Sequence, residues 1–288
     1  MTLKIEQICK NYRQGFFLKN VSLTFEKGKI YGVLGRNGSG KSTLFNIIGN
    51  RMLPSSGKIY ANDDNHSDNL YPKTVYLMNG DNLFPNRIKL QKLFKIIEKF
   101  YGAFDWEIAN KMMEDFEVSF SSYLGELSLG YQTIVKLIIS LSVPCDYIFL
   151  DDPVLGLDVQ HRNIFYEYLI ESYQKKKCTF VITTHLIKEI ENILEEVVVL
   201  EKGKVVCESS VEKLLENTYT LSGSKKYVEE NLEQLQVIGK ESLGGSLVAY
   251  VKGEIEDGSL PNISIRAVTL QEYFIQLINR KERNNEAL

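Results

Sequence analysis

Cysteine, histidine and proline are scarce in this chain, and neither sign of charge prevails. The four cysteines, Cys9, Cys145, Cys178 and Cys207, stand far apart with no paired spacing. That excludes a disulfide framework and a cysteine-built zinc module, and it suits a reducing compartment. Six prolines and twenty glycines form no period and no low-complexity tract, so collagen-like and disordered classes drop out. With 34 basic residues against 37 acidic ones and a formal charge of −3, there is no basic surplus to draw the chain to nucleic acid. The most apolar stretch, Ile134 to Leu150, is interrupted by Lys136, Pro144 and Asp146. It falls short of the ~20 lipid-compatible residues of a membrane span. The opening MTLKIEQICKNY alternates apolar and polar residues as a strand does and lacks the apolar run of a secretory signal. Any work at a membrane is expected to be done from the water side.

What remains is ordinary globular material: 288 residues, 44% hydrophobic and 25% charged. A chain of this size buries roughly three-quarters of its unfolded surface and has room for about two domains. Strand patterns over Leu3–Ile8, Val21–Phe25 and Ile30–Leu34 are followed by a glycine-rich turn and a helical stretch from Lys41 to about Met52. Residues 90–141 show apolar spacings of three and four, as helices do. Continuous apolar runs at Tyr147–Leu150, Thr179–Thr183 and Val197–Leu200 suit strands covered on both faces. A hairpin with Gly203 in its turn follows, then a short helix in SSVEKLLEN. Small strand and helix pieces come next, joined at Ser222–Ser224, Gly244–Gly245 and Asp257–Ser259.

Three constellations carry chemistry. Gly35, Arg36, Asn37, Gly38, Ser39, Gly40, Lys41 and Ser42 fit G-x-x-x-x-G-K-[ST] in full. The glycines let successive N–H groups turn inward around phosphate oxygens, Lys41 reaches the β- and γ-phosphates, and the Ser42 hydroxyl suits Mg²⁺. Next, the apolar strand Tyr147–Leu150 ends in Asp151 and Asp152, which delivers a carboxylate for Mg²⁺ to the mouth of that loop. These two elements serve kinases, GTPases and ATPases alike. A GTPase also needs N-K-x-D, and the nearest string, Asn110-Lys111-Met112-Met113, ends in Met. The third constellation, Leu127-Ser128-Leu129-Gly130-Tyr131, lies 23 positions before Asp151 and opens a helix.

With that third element the sequence resembles the ATP-binding subunits of ABC transporters, whose signature reads L-S-G-G-Q or, in exporter branches, L-S-x-G-x. The resemblance covers about residues 1–215. It implies that the helix end at Ser128 and Gly130 faces the γ-phosphate held by a second copy, the same anion-binding helix terminus offered across an interface. It further implies that Tyr12, 29 positions before Lys41, stacks on adenine, with Phe16 or Phe17 as substitutes. Thr43 completes the phosphate loop, and Leu155-Gly156-Leu157-Asp158 meets the partner subunit. His185, ending the strand at Phe180–Thr184, senses the γ-phosphate; His66 and His161 are read as structural.

The implied fold is α/β: a P-loop NTPase with a RecA-like core, an antiparallel β subdomain and a helical subdomain over about 84–142. A small α+β accessory domain follows, giving domains 1–217 and 218–288. The implied cofactors are ATP and Mg²⁺, the latter held by Ser42, Asn79 and Asp151, with Lys41, Asp152 and His185 as the catalytic set. Two positions depart from the family. Asp152 stands where Glu is usual, and Asn79 where Gln is usual, each one methylene short. Displacement of order 1 Å can cost about 10²-fold in rate. Either closer loops compensate, or the subunit binds ATP and barely cleaves it.

The resemblance also implies a partner membrane subunit on a separate chain. It would dock on the helical region, where Phe84, Phe94, Phe100, Tyr101 and Phe104 supply aromatic groups, most of them expected in the core. Val268–Phe274 resembles the closing helix of bacterial ABC-2-type exporters, so export is expected, from the inner face of the cell membrane. A soluble ABC ATPase of repair or translation is the rival; no long heptad insertion, zinc spacing or second cassette supports it.

Overall fold

The structure, a computed structural model, describes residues 2–12, 15–61, 74–81, 84–255 and 262–286, and of residues 16, 243 and 280–286 the backbone only. His66 and the expected joint at Asp257–Ser259 lie outside the described residues. The chain divides into two compact units, Met1–His185 with Val198–Glu208, and Leu186–Val197 with Ser209–Leu288.

The first unit begins with β1 (Thr2–Tyr12) and β2 (Gly15–Glu26), paired antiparallel with Leu3 opposite Phe25 and Ile5 opposite Leu23. Alternation puts Leu3, Ile5, Val21, Leu23 and Phe25 on one buried face. Next come β3 (Ile30–Leu34), buried throughout, and α1 (Lys41–Ile48). Helix α1 is a turn shorter than its apolar spacing predicts, because Gly49 caps it and Asn50 turns left-handed at φ 54°. Strand β4 (Ser56–Ala61) closes a three-stranded antiparallel sheet in the order β2-β1-β4, the expected β subdomain.

After β5 (Val75–Met78) come the helices α2 (Leu90–Tyr101), α3 (Trp106–Asp115) and α4 (Leu129–Ser142). Asp105 caps α3 and Ser128 caps α4, each accepting from a backbone N–H three residues on. Of the five aromatics expected to be mostly core, only Phe94 and Phe104 are buried; Phe84 and Tyr101 are half-buried and Phe100 is exposed. Then follow β6 (Tyr147–Asp151), α5 (Val159–Lys176), β7 (Thr179–Thr183), α6 (Ile187–Ile190), β8 (Glu196–Glu201), β9 (Lys204–Ser210) and α7 (Val211–Leu215). The hairpin turn between β8 and β9 is left-handed at both Lys202 and Gly203, as a tight two-residue loop requires.

A six-stranded sheet runs β5-β6-β7-β3-β8-β9, with β5, β6, β7 and β3 parallel. Phe149 anchors the core, edge-on to Phe25 at 5.5 Å and Phe45 at 5.0 Å. Burying each such ring contributes about 1.5–3 kcal/mol. Parallel register brings Asp151 beside Thr183 and Thr183 beside Val33, so the carboxyl ends of β6, β7 and β3 share one edge. That edge is where α/β sheets place ligands.

The second unit, to which α6 and α7 belong, adds β10 (Thr218–Ser224), α8 (Lys225–Glu230), β11 (Gln236–Leu243), β12 (Ser246–Lys252), β13 (Ile263–Ala267) and α9 (Leu270–Glu286). Its antiparallel sheet runs β11-β12-β10-β13, with Leu221, Val228, Leu247 and Val251 in its core. The residues expected as a joint at Ser222–Ser224 instead lie inside β10. They are held there by pairing on both sides, Ser222 opposite Val248 and Ser264. Gly244–Gly245 is the turn expected. The expected domain start at residue 218 is the first residue of β10, whereas the unit also takes in 186–197 and 209–217.

Candidate functional site

The buried strand β3 delivers the chain to Gly35, where a β-carbon would lie 2.4 Å from the Leu200 carbonyl and 2.5 Å from Ser39 Oγ. Only glycine fits. At Gly40 the backbone is left-handed (φ 107°) and a β-carbon would meet Leu18 at 2.7 Å. Gly40 is also the N-cap of α1, so no side chain caps that helix and no acid sits in its first turn. The first N–H groups of α1, those of Lys41, Ser42 and Thr43, therefore have no partner within the helix, and the helix dipole favours an anion there. Ser39 Oγ is buried with no hydrogen-bond partner, an orphaned polar atom in the cradle that a ligand would satisfy. Arg36 and Asn37, at the tip, are exposed.

Lys41 is buried and folds back across its own loop, its Nζ donating to the carbonyls of Gly35 (2.6 Å) and Arg36 (3.2 Å). Burial pushes its ammonium below the ordinary lysine value, opposed by the charges of Asp152 and then Asp151. These two carboxylates end β6. Thr183 Oγ1 donates to Asp151 Oδ1 at 2.6 Å and accepts from the Asp152 N–H at 2.9 Å, so one hydroxyl from β7 orients both residues. Asp152 sits at φ 47°, a left-handed conformation that costs a non-glycine residue of order 1 kcal/mol and clusters at functional sites. His185 Nε2 lies 3.4 Å from Asp152 Oδ2. Lys41, Asp151, Asp152 and His185 are thus one cluster.

Asn79 follows β5 and is buried; its Nδ2 donates to Asp81 Oδ2 (3.0 Å) and Asn46 Oδ1 (3.4 Å), the latter on α1. That leaves its Oδ1 as the atom suited to a cation. Ser42 hydroxyl, Asp151 carboxylate and Asn79 amide are hard oxygen donors of the kind Mg²⁺ takes.

Ser128 Oγ accepts from the Tyr131 N–H at 3.3 Å as the cap of α4. Gly130 lies against the loop before α5, where its β-carbon would sit 3.3 Å from the Gly156 carbonyl. Asp158 caps α5, accepting from the His161 N–H at 2.9 Å, and this bond holds its carboxyl below the usual range. His161 packs between Phe116 and Tyr131, a structural histidine as expected. The second cluster is therefore Ser128, Gly130 and Gly156–Asp158.

Tyr12 is 39% exposed, edge-on to Phe17 at 4.8 Å, and donates to Met52 Sδ at 3.0 Å. The Phe17 carbonyl lies 3.2 Å from the β-carbon position of Gly40, so this aromatic pair flanks the phosphate loop. Sequence reasoning missed Thr183 and Lys136 as parts of the site. Thr183 showed only as the last residue of an apolar strand, with nothing local to tie it to Asp151. Lys136, which donates to the carbonyls of Asn79 and Gly80, showed only as a charge interrupting an apolar run.

Comparison with known proteins agrees with this geometry. The profile of the ABC transporter family matches residues 18–155, which takes in the phosphate loop, Ser128 and Asp151–Asp152. The ABC transporter ATP-binding protein YtrB of Bacillus subtilis is 29% identical over 217 residues, 74% of each chain. The methionine import ATP-binding protein MetN 2 of Staphylococcus epidermidis is 28% identical over 254 residues, covering 80% of this chain and 72% of that one. Among solved structures, a dimeric ATP-binding cassette in a post-hydrolysis state with ADP and Pi superimposes with a TM-score of 0.63. It is 25% identical and covers 73% of this chain and 98% of that one. No helix among the described residues is long and apolar enough to cross a membrane. A glycine-cradled lysine beside two strand-end aspartates, on a sheet these relatives share, agrees with the family match over residues 18–155: that segment is an ABC transporter ATP-binding domain, an ATPase cassette.

Proposed function

We propose that two copies of this chain close head to tail around two Mg·ATP and drive a separate membrane subunit. The cluster of Lys41, Asp151, Asp152 and His185 carries this reading. Lys41 exchanges its two neutral carbonyl acceptors for phosphate oxygens, a charge-assisted and stronger pairing. Ser39, the N–H groups opening α1 and residues 35–43 hold the rest of the triphosphate, and the Tyr12–Phe17 pair receives the base. Ser42, Asp151 and Asn79 would hold Mg²⁺, which would supply positive charge to the triphosphate.

Asp152 accepts the proton of the attacking water, with Thr183 fixing its backbone and His185, beside it, reporting the γ-phosphate. The partner's copy of the Ser128–Gly130 helix end completes the γ-phosphate site. The exposure of Leu129 (82%), Leu155 (74%) and Val159 (62%) beside that helix end supports a covered interface there. Charge-assisted contacts contribute about 1.5–3 kcal/mol each, and shifting a pair of states from 1:99 to 99:1 takes about 5.5 kcal/mol. A few contacts present only with ATP suffice to close the pair, and hydrolysis removes them.

Export is proposed for the direction, supported by the likeness of Val268–Phe274 to the closing helix of ABC-2-type exporters, with the chain peripheral on the cytoplasmic face. Residues 218–288 are proposed as an accessory domain. The decisive experiment measures phosphate release by wild type, Asp152→Asn and Asp152→Glu. The Asn variant is expected to lose at least about 10²-fold, the scale on which a general base acts, while still binding ATP. An Asn variant as fast as wild type overturns Asp152 as base. A wild type that releases no phosphate above background marks the chain instead as an ATP-binding switch.

A further inference from the structure

Lys136 stands in the middle of α4 with neighbours Val135 and Leu137 fully buried, and is itself only 9% exposed. An ammonium taken from water costs several kcal/mol unless it is paired, and an apolar side chain of the same length would be cheaper. Its Nζ donates to two consecutive backbone carbonyls, Asn79 at 3.1 Å and Gly80 at 3.2 Å. The charges facing it are Asp81, which holds the ammonium in its charged form, and Arg51, which opposes that; burial is the larger effect and lowers its pKa.

The same loop is also held by the chain of the phosphate-loop helix. Asn46 of α1 accepts from Asn79, and Arg51, just past α1, donates to the Leu77 carbonyl at 2.7 Å. Residues 77–81 are thus strung between the helix that opens at Lys41 and the helix that opens at Ser128. Hydrogen bonds to a charged donor are the stronger kind, and a pair of them fixes both the position and the orientation of the peptide they grip.

We infer that Lys136 is a positioning residue for ATP hydrolysis: it clamps the Asn79–Gly80 backbone so that the Asn79 side chain is held in place and the loop moves with the helix bearing Ser128. This rests on the proposed ATPase cycle. The lysine would compensate for a side chain one methylene short at position 79, by fixing the backbone that carries it.

The test compares full-length wild type, Lys136→Met, Asn79→Ala and the double variant in steady-state ATP hydrolysis, with Lys41→Ala as the blank. ATP affinity is read separately from a fluorescent nucleotide. Met keeps the length and apolar stem and removes the two donors. Lys136→Met is expected to lower kcat about 10- to 100-fold, as a displacement of order 1 Å does. KM and nucleotide affinity should stay within about twofold. The double variant should be no slower than Asn79→Ala alone, since both remove the same held amide.

A Lys136→Met chain with wild-type kcat, or one whose loss multiplies with that of Asn79→Ala, overturns the inference. So does a loss matched by the fraction unfolded in circular dichroism. If the Met variant does not fold, Lys136→Gln, which retains one donor group, is judged by the same criteria. A wild type no faster than the Lys41→Ala blank counts against the ATPase cycle itself, not against Lys136.

Discussion

Lys41 carries a testable charge balance. Burial lowers its pKa from the ordinary 10.5, and Asp152 and Asp151 pull it back up. Only the ammonium form pairs with a triphosphate, so nucleotide affinity should weaken as pH rises, starting below the ordinary lysine value. Bound triphosphate adds negative charge and raises the pKa again, so binding on the alkaline side must take up protons. Calorimetric titration in two buffers of different ionisation heat measures this directly. Uptake that grows with pH is expected; proton release on the alkaline side contradicts the assignment.

At this scale the phosphate loop was legible because its contacts are local and its residue types nearly unique to their task. Thr183 and Lys136 were not, because they act on residues 32 and 57 positions away. Only the strand register and the packing of α4 bring those partners together.

Among the elements, α9 begins with a reciprocal cap. Glu272 Oε2 accepts from the Thr269 N–H at 3.1 Å while Thr269 Oγ1 accepts from the Glu272 N–H at 3.2 Å, a capping box. Arg266 of β13 pairs with the same carboxylate through Nη1 at 2.8 Å. Its hydrogen bond is the chief reason the Glu272 pKa falls from 4.5 to about 2, with the Thr269 N–H also lowering it against the cost of burial. Since the folded value is the lower one, the stabilisation is present above about pH 4.5 and lost as pH falls toward about 2. Glu272→Gln should destabilise the second unit by about 1 kcal/mol at neutral pH, and the difference from wild type should shrink below pH 4.5. Urea unfolding at pH 7 and at pH 3 checks it, and a difference that stays constant argues against the box.

Apolar patterning located α2, by spacings of three and four, and the buried strands, by continuous runs, because both are local signals. It overran α1, where Gly49 and Asn50 end the helix, and it read the serines of β10 as a joint. Serine is a weak strand former, and cross-strand pairing decides its state.

For the whole molecule, a linear reading draws a boundary at one point in the chain. The second unit instead collects 186–197 as well as everything from 209, a gathering of separate segments that no local composition marks. Assembly is the remaining question at this scale. In the proposed arrangement the Lys41 cluster supplies one side of the γ-phosphate site, while in each chain the helix end at Ser128 lies with the Gly156–Asp158 loop. Covering the exposed side chains of Leu129, Leu155 and Val159 would contribute about 1.5–3 kcal/mol each. Asp152→Asn, which should trap ATP uncleaved, is therefore expected to sediment as a dimer at saturating Mg·ATP and as a monomer without nucleotide. Adding Leu129→Glu and Leu155→Glu places like charges and unpaired carboxylates in that contact. It should abolish the dimer while nucleotide affinity of the monomer stays within about threefold, because neither leucine belongs to the Lys41 cluster. Analytical ultracentrifugation with a fluorescent ATP reads both quantities in one sample. If Asp152→Asn stays monomeric alone but assembles when a related cassette is added, the partner is a paralogue. If it stays monomeric in both cases and with its membrane subunit present, the head-to-tail arrangement is wrong, and the apolar side chains around Ser128 need another partner.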